Sequence, residues 1–193
     1  MSFKSYLKTL EQPSVVFTFG RFNPMHQEHY ELTKYIQEYA KKNKMDAIVY
    51  TSFSQNPKKN PLTPQDKILF LKEMVPKGVK VSEDGTLKNS FQILEDLIKN
   101  KKYTRIVFIV GEDRVQDFQA MYKYSKDWGL ELGKDIDFKI VQRKGSRSSH
   151  LSGTVLRQYV KDNDFNSFKE ALPYTLKGLA EEIFRKVKAG LGV

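Results

Sequence analysis

Two short segments of this chain carry residue types that could bind and activate a phosphate. The first is Phe19-Gly20-Arg21-Phe22-Asn23-Pro24-Met25-His26-Gln27-Glu28-His29. His26 and His29 stand three apart, so in the first turn of a helix they share one face and can donate together to a phosphate whose charge grows in a transition state. Alone, such a pair is equally compatible with a surface pair or with metal ligands. The only other histidine is His150, so a third imidazole for a zinc site would have to come from there. The second segment is Leu151-Ser152-Gly153-Thr154-Val155-Leu156-Arg157. Ser152, Gly153 and Thr154 gather hydroxyls and backbone N–H groups at the positive end of a helix, and Arg157 one turn later offers a guanidinium fork suited to phosphate oxygens. An ordinary helix cap followed by a solvated arginine would look the same.

The elements around these segments must place both at one ligand edge. Ser14 to Phe19 is an apolar, β-branched run stopped by Gly20, as expected of a buried strand. Leu32, Ile36 and Tyr39 recur at helical spacing over His26 to Lys42. A second strand covers Asp46 to Thr51, and an Asn-, Pro- and Lys-rich loop leads to a helix start where Thr63 can cap, Pro64 suits the first turn and Asp66 completes a capping box. Ile68, Leu69, Leu71 and Met74 continue that helix. Further strands are predicted at Val79 to Val81, Arg105 to Val110 and Phe138 to Val141, with helices near Ser90 to Lys99 and after Asp113; from Ser152 onward the chain is helical. Strands alternating with helices predict an α/β fold, a Rossmann-like and mostly parallel sheet covered by helices on both faces, with a C-terminal helical extension. In such sheets ligands bind beyond the carboxyl ends of the strands, which makes Phe19, Gly20, Arg21 and Asn23 candidates for nucleotide contact.

Composition narrows the partners. The chain has 193 residues, enough for one domain over 1–193, with a core over 14–145 and the second phosphate segment and terminal helices over 146–193. The net charge of +10, from 33 Lys and Arg against 23 Asp and Glu, favours anionic partners: a nucleotide, a nucleic acid or an acidic surface. Zero cysteines exclude disulfides and thiolate nucleophiles. No apolar run approaches the ~18 residues needed to cross a bilayer, and Met1 to Gln12 lacks a signal-peptide core. A soluble, cytoplasmic protein without a membrane partner is the expectation, and a monomer and a homo-oligomer are both compatible with it.

Both segments also resemble a known family. Gly20 to His29 is similar to the first signature of the HxGH nucleotidyltransferase superfamily, closest to archaeal-type nicotinamide mononucleotide adenylyltransferases, and Leu151 to Arg157 is similar to the second. Between them, Asn60-Pro61-Leu62-Thr63 and its helix resemble the family's Asn-Pro-Phe-Thr segment, and Gly111-Glu112-Asp113 its Gly-x-Asp segment. The likeness spans nearly the whole chain. It implies transfer of a nucleoside monophosphate from a triphosphate to a small phosphate-bearing acceptor with release of pyrophosphate: ATP and nicotinamide mononucleotide first, with CTP and an alcohol or sugar phosphate as the alternative. It assigns His26 and His29 to the α- and β-phosphates, and Ser152, Thr154 and Arg157 to the β- and γ-phosphates, with Gly153 in the same turn and Gly111 and Asp113 against the nucleotide. Lys58, Lys59 and Lys67 are cations on the expected ligand edge, placed to reach a triphosphate, although a solvated charge run is the commoner meaning of such a cluster. Mg²⁺ is expected on the triphosphate, held by substrate and water.

Two positions depart from the pattern. Glu28 stands where the family has glycine between its histidines; either its side chain points to solvent, or the nucleotide sits differently and the site is impaired, leaving a nucleotide-binding protein. Asn89-Ser90 is followed by Phe91-Gln92 rather than by a tryptophan to pack a nicotinamide ring, and the only tryptophan is Trp128.

Overall fold

The computed structural model describes residues 13–111, 129–131, 134–141 and 151–193. Asp113, Trp128, His150 and the helix expected after Asp113 lie outside them. Among the described residues the strands are β1 (Ser14–Gly20), β2 (Asp46–Thr51), β3 (Val79–Val81), β4 (Arg105–Gly111) and β5 (Ile136–Val141). They form one sheet in the order β3-β2-β1-β4-β5, and every neighbouring pair is parallel. The helices are α1 (Gln27–Asn43), α2 (Pro64–Met74), α3 (Ser90–Lys99), α4 (Gly153–Lys161), α5 (Phe165–Ala171) and α6 (Ala180–Leu191), with a 3₁₀ turn at Tyr174–Leu179 before α6. No helix of the described residues is long and apolar enough to cross a membrane.

The central strands β1 and β4 are buried on both faces, and this is why they are continuous apolar runs rather than alternating ones. Successive side chains still point to opposite faces. Val16, Val49, Val107 and Ile109 meet α1, α2 and the C-terminal helices in one cluster. Val15, Phe17, Ile48, Ile106 and Phe108 meet α3 in the other, where the Phe17 and Phe108 rings stack at 4.5 Å. Phe91 is partly buried against this second cluster.

Strand order reverses between β1 and β4: the chain leaves β1 toward β2 and β3 on one side and returns to β4 on the other. The carboxyl ends of those two strands, Gly20 and Gly111, therefore frame the crevice where an open α/β sheet binds ligand.

Helix α2 corrects two sequence expectations. Thr63 caps it by accepting from the Asp66 N–H at 3.1 Å. The Asp66 carboxylate does not reach back to complete a capping box; it pairs with Lys186 of α6 at 2.6 Å, because a half-buried carboxylate gains more from a cation than from a neutral amide. The buried face is Lys67, Phe70, Leu71 and Met74: Lys67, expected as a cation on the ligand edge, faces inward, and Leu69 is 48 % exposed.

The C-terminal helices are built into the first cluster through Leu156, Val160, Phe168, Ile183 and Val187. Helix α6 also lies so close to the loop before α2 that a Cβ on Gly190 would stand 2.0 Å from the Pro61 carbonyl oxygen. Only glycine permits that approach.

Candidate active site

A cleft of about 700 Å³ opens at the carboxyl ends of β1 and β4. Phe19, Gly20, Arg21, Asn23, His26 and His29 line it from β1 and the start of α1. Ser152, Gly153, Thr154 and Arg157 line it from α4, with Gly111 from β4 and Lys59 from the loop after β2. The two phosphate-type segments thus share one cavity. Lys58 is exposed on the turn beside Lys59, outside this lining.

The β1–α1 loop is held by local packing. Phe22 sits in left-handed backbone at φ +46, which costs an L residue about 1–2 kcal/mol. Its ring is 1 % exposed, and burying an aromatic side chain stabilises by roughly 1.5–3 kcal/mol, enough to offset that cost. The ring lies over Gly20, where any Cβ would come within 2.8 Å of it. It also meets the His29 ring, at 4.7 Å between centroids.

His26 is the N-cap of α1 and is 4 % exposed. Its backbone N–H donates to His29 Nδ1 at 3.3 Å, and the two imidazoles lie 3.7 Å apart between centroids. A nitrogen that accepts carries no proton, so the neutral His29 ring has its proton on Nε2 as a donor. Helix-terminal backbone and imidazole N–H groups are hence concentrated at one point.

Asn23 is committed to structure. Its Oδ1 accepts from the Leu62 N–H at 2.9 Å and its Nδ2 donates to the Leu62 carbonyl at 3.5 Å. This pair of bonds fixes the loop before α2 to the β1–α1 loop.

Ser152 caps α4 by accepting from the Val155 N–H at 3.3 Å. Arg157 is not solvated like the arginine that commonly follows a cap. Its Nη1 donates to the Asn23 carbonyl at 2.7 Å and its Nη2 to Thr154 Oγ1 at 2.9 Å. Gly153 passes beneath this guanidinium, where a Cβ would lie 3.0 Å from both Arg157 Nη1 and the Asn23 carbonyl oxygen. Burial, and secondarily the neighbouring Arg21 charge, lower the pKa of Arg157 from its ordinary value. Two guanidiniums close enough to repel each other are stabilised by an anion between them.

Glu28, absent from the sequence-level candidates, does not point to solvent. Its Oε1 accepts from the Leu151 N–H at 3.1 Å, joining the first turn of α1 to the residue that precedes the α4 cap. No local signal could have revealed a partner 123 residues away.

Lys67 is also corrected. Instead of reaching toward a triphosphate it is fully buried, donating to the Ser52 carbonyl, to the Ser54 carbonyl at 3.3 Å and to Ser52 Oγ at 3.4 Å. Burial pushes its pKa down to about 8. The cation is used inside the protein to anchor the loop that carries Lys59.

The described residues contain no group of three His, Asp or Glu side chains that could hold a metal ion.

A family model described as cytidylyltransferase-like matches residues 17–165, a span that contains both segments. A protein of Pelagibacter ubique named a probable nicotinate-nucleotide adenylyltransferase is 26 % identical over 159 residues, covering 78 % of this chain and 83 % of that one. One of the same name in Aliarcobacter butzleri is 29 % identical over 140 residues, covering 68 % and 72 %. Among solved structures, one from Vibrio parahaemolyticus named for that activity superposes with a TM-score of 0.60 at 17 % identity, covering 90 % of this chain and 96 % of its own. A bifunctional NMN adenylyltransferase/ADP ribose pyrophosphatase of Francisella tularensis, complexed with AMP and a manganese ion, gives 0.57 at 12 % identity, covering 92 % and 52 %; these two likenesses concern the fold.

Proposed function

Since the chain belongs to the cytidylyltransferase-like family and is a nucleotidyltransferase, we propose that it transfers AMP from ATP to a pyridine mononucleotide, forming a dinucleotide and pyrophosphate. The observation that carries this reading is the Arg157–Asn23 bond, which brings the hydroxyl-and-guanidinium segment onto the same cleft as His26 and His29. The names of the two curated relatives support nicotinate mononucleotide as the acceptor; the sequence motifs alone favoured nicotinamide mononucleotide.

In this mechanism an acceptor phosphate oxygen attacks the α-phosphorus of ATP. The bond from that phosphorus to the bridging oxygen breaks, and pyrophosphate departs with the electron pair. The chain needs no covalent nucleophile, because positioning and charge stabilisation supply the catalysis. His26 and His29 donate to the α- and β-phosphates, while Thr154, Arg157 and the first-turn amides of α4 hold the β- and γ-phosphates. Ser152 accepts with its oxygen at the cap and keeps its hydroxyl proton for a phosphate. Arg21 and Lys59 add charge at the cleft wall. Mg²⁺ enters as part of the MgATP substrate, coordinated by phosphate oxygens and water, which fits a wall of imidazoles and guanidiniums better than an all-protein cage would.

The test is to incubate the protein separately with ATP and CTP, each with nicotinate mononucleotide, nicotinamide mononucleotide or a phosphorylated alcohol, and to follow pyrophosphate. Release with ATP and a pyridine mononucleotide is the expected result. Release confined to CTP with the phosphorylated alcohol, or tight ATP binding with no release in any combination, overturns it.

A further inference from the structure

The residue that breaks the histidine signature has a task of its own. Glu28 lies in the first turn of α1, lines the cleft, and is half-buried. Its Oε1 takes the Leu151 N–H at 3.1 Å. Leu151 is packed against the main core cluster, and the next residue, Ser152, is the extended N-cap of α4. From that point the chain turns directly into Gly153 and Thr154, on the cleft wall.

Two tethers consequently join the two phosphate segments. Arg157 grips the Asn23 carbonyl from inside α4, and Glu28 grips the backbone just ahead of it. Arg157 fixes α4 itself and Glu28 fixes the backbone that enters it, so the Ser152–Thr154 turn is held from both ends. A glycine at position 28 has no side-chain acceptor and would leave that amide to water.

We propose that Glu28 is a positioning residue for the triphosphate, holding the Ser152–Thr154 turn at the separation from His26 and His29 that a bound triphosphate spans. The inference rests on the triphosphate reading of the cleft. It also explains how a carboxylate coexists with a polyanion. The charge is stabilised by the backbone N–H that it accepts and by the positive end of α1. What the site requires from Glu28 is an acceptor oxygen rather than a negative charge, so glutamine suffices where alanine fails. Misplacement of a binding group by about 1 Å is enough to cost large factors in rate or affinity.

Full-length Glu28→Gln and Glu28→Ala proteins test this. Three readouts are compared with wild type: KM for ATP against kcat, hydrogen exchange at the Leu151 amide without nucleotide, and thermal midpoint. Glu28→Ala is expected to raise KM for ATP about tenfold, the size of one lost charge-assisted hydrogen bond, with kcat near wild type. Exchange at Leu151 should accelerate in the same variant. Glu28→Gln is expected to restore both. Wild-type KM and exchange in Glu28→Ala overturns the proposal, as does a Glu28→Gln protein as impaired as Glu28→Ala, which would assign the role to charge or proton transfer. A fall in thermal midpoint with no change in KM would make the bond merely structural, and also overturns it. Should wild type release no pyrophosphate with ATP and either pyridine mononucleotide, the functional reading fails; exchange at Leu151 still decides whether the tether exists.

Discussion

The Arg157 guanidinium donates to the Asn23 carbonyl oxygen at 2.7 Å, closing a contact across 134 residues. Asn23 is itself fixed by its side chain to the backbone of Leu62. The arginine therefore rests on a rigid loop, and its remaining N–H groups stay available to the cleft that it lines. A guanidinium with five donors can brace the fold and meet an anion at once.

Arg157→Lys should break this double duty. One ammonium cannot span the Asn23 carbonyl and Thr154 Oγ1 in the geometry of a planar fork and still present donors to a phosphate. Steady-state assays are expected to show kcat/KM lower by about 10²-fold or more, the cost of losing a preorganised donor to developing charge. A variant with wild-type kcat/KM would remove Arg157 from the chemistry.

His26→Ala and His29→Ala should each lower kcat by roughly 10²–10³-fold for the same reason. The fold should persist. Losing the His29 Nδ1 acceptor at the start of α1 resembles loss of a helix cap and costs about 1 kcal/mol, up to about 2. Circular dichroism melts distinguish the cases: a collapsed midpoint would mean that the lost rate reports unfolding.

The fold was legible because its signals are local. Apolar runs in β1 and β4, Gly20 as a stop and the Thr63-Pro64 start each depend on residues a few positions apart. Both phosphate segments were visible in the same way. On α2 the buried face runs Lys67, Phe70, Leu71, Met74 at the i, i+3, i+4, i+7 spacing of a helix, so period alone turns position 67 inward and only the lysine side chain suggested a surface residue. The fate of Lys67 depends on carbonyls at Ser52 and Ser54, and that of Asp66 on Lys186. Glu28 follows the same rule, since its partner at Leu151 comes from the other end of the chain. Periodicity registers neighbours one turn away, whereas these polar partners are chosen by tertiary packing.

Lys67 gives stability a pH dependence of definite sign. Burial lowers its folded-state pKa to about 8 from an ordinary 10.5, so between those values the unfolded chain binds more protons than the folded one. Stability contributed at this site therefore rises with pH from about 8 to about 10.5, with a slope of at most about 1.4 kcal/mol per pH unit for one proton. Below pH 8 the full penalty of a buried charge applies. Urea unfolding of wild type and Lys67→Met at pH 7.5, 8.5 and 9.5 measures it as a difference. The stability of wild type relative to the variant should climb across the series, and a flat difference would refute a depressed lysine.

Gly190→Ala tests the packing of α6 on the loop that Asn23 holds. A methyl group there would begin 2.0 Å from the Pro61 carbonyl oxygen and 2.9 Å from the Pro61 Cβ. Backbone cannot yield as a flexible side chain does, so α6 must move outward and loosen Val187 and Ile183 in the main cluster. Overpacking of this kind costs about 1–3 kcal/mol. For a domain of this size each kcal/mol lowers the thermal midpoint by roughly 2–4 °C, even though alanine is the better helix former by about 1 kcal/mol. Intrinsic propensity and tertiary contact thus predict opposite signs at this position. A midpoint that rises in Gly190→Ala would show that α6 does not press on Pro61 in solution; a fall would establish that this contact outweighs helix propensity.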